Sequence, residues 1–356
     1  MVDKNSIDKE LFIKQSKEFA KIKEVKGCKH ISTFVDSELF INPVIGDPVD
    51  RTVDGGGYIQ EKGLIKDNDF VKHEDTGMLF QKSGAKALCS HDYKTTTAAI
   101  LTCGGICPGL NVVIRELFMS LHYNYKVDKI IGIKGGYQGI YTNTKENYIT
   151  LDTKIVSDIH KKGGTILGSS RGGFDLDKIV ASLVDNKITM LFIIGGDGTH
   201  KGAQKIADEC ERLKLKISVC GIPKTIDNDI PLIDRTFGFE TAVSEAVNVI
   251  DCANNEATSA INGIGIVKLF GRSCGFITMY AALASRDVNI CLIPEKKFDL
   301  FGDKGLFEYV LTRVQKRNHC VIIVAEGCED SINDFKVVDT GLVDKSGNKK
   351  MNVRFF

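Results

Sequence analysis

Tryptophan is absent from the 356 residues, and neither sign of charge is in excess: 47 Lys and Arg stand against 46 Asp and Glu. The missing Trp excludes nothing by itself. The balanced charge excludes a polyanion binder that works through bulk electrostatics, while leaving room for a local phosphate pocket. No apolar run reaches the ~18 residues of a membrane span. No signal-peptide pattern opens the chain, and its last residues, Asn352-Val353-Arg354-Phe355-Phe356, form no lipidation or organelle signal. A cytoplasmic protein without a membrane partner is therefore expected. Seven His are scattered, with no HExxH and none in a triad-like setting with Ser or Cys, which excludes the corresponding zinc and nucleophile chemistries. The eleven Cys include Cys103 and Cys107 around a glycine pair, but no second pair at metal spacing accompanies them. Cys220, Cys291 and Cys320 sit inside apolar runs and are expected as buried reduced thiols.

What is abundant is glycine, 35 residues against a usual share of ~7%. Much of it comes in pairs between apolar runs, the setting of tight phosphate loops. Apolar residues at 43% and charged ones at 26% are ordinary globular usage. The length suggests two lobes, or one with an extension. Residues 1–96 are rich in Lys, Asp and Glu, with turn signals at Asn42-Pro43 and Asp54-Gly55-Gly56-Gly57 and a weak helical signal at Leu11, Phe12 and Ile13. They read as an extension packed on a core. The basic stretch near 14–29 reads as a solvated face.

From Thr97 short β-rich runs alternate with amphipathic helical stretches. The pattern predicts strands at 98–103, 129–133, 190–194, 217–221, 264–268, 288–293 and 321–325. It predicts helices at 108–122, 156–162, 201–213, 242–254, 273–285 and 305–315, the first opening on Pro108 where a missing N–H costs nothing. Such alternation means right-handed crossovers and a mainly parallel sheet. Ligands then bind beyond the carboxyl ends of the strands, which is where the glycine loops fall.

Three loops carry the chemistry. Gly104-Gly105-Ile106-Cys107-Pro108-Gly109-Leu110-Asn111 joins a strand to a helix, and its glycines and free helical N–H groups suit an anion. A tight structural turn would also explain it. Gly195-Gly196-Asp197-Gly198-Thr199 repeats that design, and Asp197 adds a hard oxygen ligand suited to Mg²⁺ on phosphate. Pro223-Lys224-Thr225-Ile226-Asp227-Asn228-Asp229 places two carboxylates beside a Thr and a Lys. One carboxylate could take a proton from a sugar hydroxyl while its neighbours tune it; an Asx-turn accounts for a single Asp but poorly for the heptapeptide. Arg171 in GSSRGG and Arg272 in FGR offer fixed bidentate donors for phosphate. Glu326 ends a strand at the same edge. His200 could touch a nucleotide or simply start a helix.

In this order the motifs GGICPGLN, GSSRGG, GGDGT, PKTIDND, FGFETA, LFGRSCG and VAEG, from about Thr97 to Glu326, resemble the 6-phosphofructokinase family. The resemblance implies an α/β fold of two Rossmann-like lobes: a nucleotide-binding lobe at 97–238 and a sugar-phosphate-binding lobe at 239–356, with the extension at 1–96. It implies an allosteric glycolytic kinase that phosphorylates the 1-hydroxyl of fructose 6-phosphate, with Asp227 as general base. Gly104, Arg171, Gly172 and the Gly195, Gly196, Asp197, Gly198, Thr199 loop would hold the donor phosphates, with Asp197 on Mg²⁺ and Arg171 on the transferred group. Thr225, Ile226, Asp229, Phe270, Gly271, Arg272 and Glu326 would hold the sugar phosphate.

Gly198 favours ATP, because pyrophosphate-using members resemble one another in carrying Asp there. Lys224, typical of pyrophosphate users, points the other way. Gly198 with Lys224 and a long extension looks like an ATP-dependent branch, and ATP is the expected donor. Two departures stand out. An Arg of well-known bacterial members is matched by Gly263, and the family continues well past VAEG with further ligands for the 6-phosphate. The second lobe is therefore expected to be incomplete. The alternatives are a pyrophosphate-dependent enzyme and a non-catalytic homologue that binds nucleotide or joins a full-length subunit. A homo-oligomer, dimer or tetramer, is implied, and no nucleic acid.

Overall fold

In the computed structural model the described residues are 40–41, 88–230, 233–272, 274–333, 336–343 and 349–354. The expected helix at Leu11–Ile13, the basic stretch near 14–29 and the turn at Asp54–Gly57 lie outside them. The chain divides into two units, Met1–Pro223 and Lys224–Phe356. This division falls ahead of the expected 238/239 boundary, so Lys224–Asp229 opens the second unit.

In the first unit two short strands, β1 (Phe40–Ile41) and β2 (Leu88–Cys89), pair antiparallel. The main sheet is built from β3 (Thr97–Thr102), β4 (Lys129–Ile133), β5 (Tyr148–Thr150), β6 (Met190–Gly195) and β7 (Ser218–Pro223), in the order β5-β4-β3-β6-β7. All pairings are parallel except β4 with β5. Every residue of the central β3 is buried, as expected of a parallel strand covered on both faces.

The helices follow from the apolar spacing. α1 (Leu110–Met119) buries Leu110, Ile114 and Phe118 at intervals of four. Short helices α2 (Gly136–Tyr141), α3 (Thr144–Asn147) and α4 (Thr153–Val156) follow. α5 (Leu176–Asp185) and α6 (Asp197–Arg212) bury Ile179, Leu183, Ile206 and Cys210 in one cluster with Leu191 and Ile193 of β6.

Two expected helices are corrected. The 108–122 helix starts at Leu110, because Gly109 is left-handed at φ 93 and cannot be helical. Its last turn widens into a π-turn over Ser120–Asn124. The 156–162 helix is replaced by α4, which Asp152 starts early by accepting the Ile155 N–H at 2.7 Å, and by a 3-10 turn at Ile159–Lys161. α2, α3, α5 and β5 were not foreseen: α2 to α4 and β5 are too short to show a period.

The second unit holds α7 (Phe239–Ser259), β8 (Gly263–Leu269), α8 (Phe276–Ser285), β9 (Ile290–Leu292), α9 (Leu306–Arg317) and β10 (His319–Ala325). The parallel sheet runs β8-β10-β9. Side chains of β10 alternate between faces. Val321 and Ile323 pack with α7 and α8, Cys320 and Ile322 with α9. The expected 273–285 helix begins only at Phe276. An antiparallel pair, β11 (Lys336–Val343) with β12 (Lys349–Arg354), ends the described chain; strand-and-helix alternation gave no sign of it.

The thiols need one correction. Cys320 is buried as expected, but Cys220 and Cys291, on the edge strands β7 and β9, are exposed. No helix among the described residues is long and apolar enough to cross a membrane.

Candidate functional site

In the first unit the strand ends bring together the loops that the sequence singled out. Cys103, just past β3, bridges Ser170 in parallel fashion. The Gly104 N–H donates to the Ser170 carbonyl at 3.0 Å, and the Ser169 hydroxyl donates back to the Gly104 carbonyl. The GGICPG and GSSRGG loops are thus stitched edge to edge. Arg171 follows, and its Nη2 lies 3.6 Å from where a Cβ on Gly105 would sit. Asn111, from the same motif, is buried and structural: its amide donates to the Lys162 carbonyl at 2.9 Å and its Oδ1 accepts the Ile166 N–H at 2.8 Å.

The GGDGT loop converts β6 into α6. A Cβ on Gly195 would meet Thr199 Oγ1 at 2.5 Å, so that glycine serves the turn's own packing. Gly198 differs: a Cβ there would meet nothing within 4 Å. Asp197 and Gly198 are both exposed in the first turn of α6, where free N–H groups favour anions. His200 turns back to the sheet. Its Nε2 is 3.0 Å from the Gly195 carbonyl and its ring lies against Gly221, which supports the structural alternative for this residue.

Among the described residues no group of three or more His, Cys, Asp or Glu could hold a metal ion. Mg²⁺ keeps water and substrate phosphate as most of its ligands and needs only one or two carboxylates from a protein. Asp197, exposed beside the open space at Gly198, is a carboxylate that could hold such an ion.

In the second unit Lys224 is buried at 9% exposure. The Thr225 hydroxyl accepts the Asp227 N–H at 3.1 Å. Asn228 is left-handed at φ 58 and locks the loop: its Oδ1 accepts the Thr236 N–H at 2.8 Å and its amide donates to the Asp234 carbonyl at 3.1 Å. Asp227 is half-buried while Asp229 is exposed. Burial pushes the Asp227 carboxyl above its usual range, the charges of Asp229 and Glu326 add to the rise, and Arg272 opposes it. Asp229, Glu326 and Arg272 thus all act on the Asp227 carboxyl.

The FGR turn has its own reason. Gly271 has φ 142, and a Cβ there would stand 2.3 Å from the Cys274 carbonyl; only glycine fits. Phe270 projects outward at 71% exposure. Sequence reasoning missed two supporting groups. The Cys274 thiol, its pKa pushed up to about 11 mainly by burial, donates to the Asp227 carbonyl at 3.4 Å. Glu295 accepts the Gly275 N–H at 2.8 Å, just ahead of α8. Neither carried a sequence signal, since both partners lie tens of positions away.

A sequence model of the phosphofructokinase family matches residues 97–354. The chain is 50% identical over 305 residues to ATP-dependent 6-phosphofructokinase 1 of Arabidopsis thaliana, covering 83% of this chain and 64% of that protein. It is 42% identical over 329 residues to ATP-dependent 6-phosphofructokinase of Entamoeba histolytica, covering 92% and 70%. It spans 57% of the length of a second Arabidopsis thaliana relative, ATP-dependent 6-phosphofructokinase 7. Phosphofructokinase from Saccharomyces cerevisiae superposes with a TM-score of 0.57 at 24% identity, over 67% of this chain and 34% of that one. Pyrophosphate-dependent phosphofructokinase from Marinobacter aquaeolei gives 0.56 at 21%, over 65% and 60%. At such identities these structures speak for the fold alone.

Proposed function

The chain belongs to the phosphofructokinase family, and from that premise we propose that it transfers the γ-phosphoryl group of ATP to the 1-hydroxyl of fructose 6-phosphate. The observation that carries this proposal is Asp227: a half-buried carboxyl whose proton affinity is raised by its surroundings, as a general base near neutral pH requires. The sugar hydroxyl gives its proton to the Asp227 carboxylate, its oxygen bonds to the γ-phosphorus, and the bond to the bridging oxygen breaks to release ADP. Arg171 balances charge that spreads over the transferred group, and Lys224 adds a second positive charge. Gly104, Gly172, Gly195, Gly196 and the N–H groups at Gly198 and Thr199 hold the donor phosphates. Thr225, Ile226, Asp229, Phe270, Gly271, Arg272 and Glu326 hold the sugar phosphate. Mg²⁺, when bound at Asp197, neutralises phosphate charge. The first unit thus serves the nucleotide and the second the sugar phosphate.

The open space at Gly198 supports ATP over pyrophosphate, since nothing there excludes an α-phosphate. The names of the Arabidopsis thaliana relatives at 50% and 52% identity point the same way. A cytoplasmic location and self-association into a dimer or tetramer belong to the same proposal; cell fractionation and sedimentation check them.

The test is fructose 6-phosphate-dependent ADP release with Mg²⁺, with pyrophosphate as a parallel donor. Sugar-dependent turnover with ATP is expected, and Asp227→Asn should lower kcat by about 10²–10⁴-fold with folding intact. Wild-type activity in that variant would overturn the base assignment. Turnover with neither donor from folded protein would overturn the kinase proposal in favour of a non-catalytic homologue.

A further inference from the structure

The Lys134–Tyr141 turn of the first unit touches both loops assigned above to the donor, and none of its residues has a role in that assignment. Tyr137 is buried at 5% exposure. Its phenol donates to the backbone carbonyl of Thr199 at 2.5 Å, inside the first turn of α6. Its ring meets Phe174 edge to face, with centroids 5.1 Å apart at 83°. Gly202 makes the room: a Cβ there would stand 2.8 Å from the phenol oxygen and 3.0 Å from each ring. The same turn grips the Arg171 loop. The Ser170 hydroxyl donates to the Gly135 carbonyl at 2.6 Å. Gly136, left-handed at φ 65, lets Ser170 approach to 2.7 Å of its absent Cβ. Beyond Arg171, Gly173 sits against Gln138, and the Tyr141 hydroxyl donates to the Gly173 carbonyl at 3.1 Å.

We propose that Tyr137 is a positioning residue for the donor: through Thr199 it fixes the Asp197–Thr199 turn in register with the Arg171 loop. A phenylalanine would fill the same volume, so packing does not account for the hydroxyl. The hydroxyl makes the hydrogen bond to Thr199. Burial also raises the phenol's pKa, so the O–H stays protonated and donates throughout the physiological range. The glycines at 136, 173 and 202 find a common reason, since each lies where the turn approaches a donor loop.

The proposal rests on the donor role of the first unit, and the test separates the two. Tyr137→Phe in the full chain removes one hydrogen bond and keeps the ring. The KM for ATP should rise about five- to tenfold while the KM for fructose 6-phosphate stays unchanged. Amide exchange should quicken across 196–203 but not across β3. Gly202→Ala, which pushes the ring away, should shift both readouts in the same direction. Unchanged exchange in Tyr137→Phe overturns the proposal, and so does faster exchange with unchanged ATP affinity. If calorimetry finds no nucleotide binding by wild-type protein, the donor role of the first unit falls. The exchange readout then still decides whether Tyr137 holds the α6 turn.

Discussion

The two units use one construction, parallel strands with helical crossovers, and finish it differently. In the first, the central β3 is buried along its whole length. In the second, β8 is an edge strand that buries Val267 and leaves Ile264 and Ile266 at 50% and 67% exposure. Ile264 and Ile266 pair with Cys320 and Ile322, which α9 covers; the cover stops one strand short. The strand ends differ as well. Those of the first unit carry glycine turns and helical N–H groups, with the carboxylate of Asp197 in the first turn of α6. The second unit instead opens on Asp227 and Asp229, just past β7, and adds Arg272 and Glu326 after β8 and β10; burial raises the proton affinity of Asp227, the charges of Asp229 and Glu326 add to the rise and Arg272 opposes it. The loops beyond parallel strands can therefore present either glycines and free N–H groups or a cluster of charged side chains, and the loop residues decide which.

Four substitutions break or sharpen that contrast. The largest effect is expected from Gly198→Asp, which places a carboxylate in the open space of the donor loop. Like-charge repulsion costs several kcal/mol, so the KM for ATP should rise by about 10²-fold or more; unchanged ATP kinetics would remove that loop from the nucleotide. Next comes the sheet of the second unit. Ile323, fully buried in β10, should cost about 2–5 kcal/mol in urea unfolding when replaced by Ala. Ile266→Ala, on the uncovered strip, should stay within about 0.5 kcal/mol. Equal losses would mean that the strip is covered in solution.

The smallest effect concerns pH. The folded-state affinity of Asp227 for its proton is raised, so its contribution to stability is fully present below the unfolded pKa of about 3.9 and is lost as pH rises through the folded value. Asp227→Asn should therefore be the more stable protein at neutral pH, by urea midpoint, with the difference closing as pH falls below about 4. A wild-type advantage at neutral pH would contradict the burial and like-charge account.

Much of this was legible along the chain. The strands at 129–133 and 190–194 and the helices of the second unit appear near their expected positions. GGDGT and PKTIDND were visible because their parts are contiguous and each residue type has a physical reason at its place. What escaped was short or distant. β5 has three residues and follows a four-residue helix, too little for a period. Cys274 meets Asp227 across 47 positions, and Tyr137 meets Thr199 across 62, distances over which spacing carries no message. Cys220 and Cys291 lie in apolar runs that look buried, and only the strand order reveals both as edge positions.

The sequence by itself determined the strand-and-helix alternation, the glycine turns at the strand ends and the carboxylates of Asp197, Asp227 and Asp229, because backbone freedom, periodicity and charge are properties of neighbouring residues. Only the tertiary structure decided that Gly195 is filled by Thr199 while Gly198 is open, that Asp227 holds its proton more tightly than an ordinary carboxyl, and that Tyr137 reaches the α6 turn. Space, burial and long-range hydrogen bonds are set by what the fold brings near, and that is fixed when the sheets close.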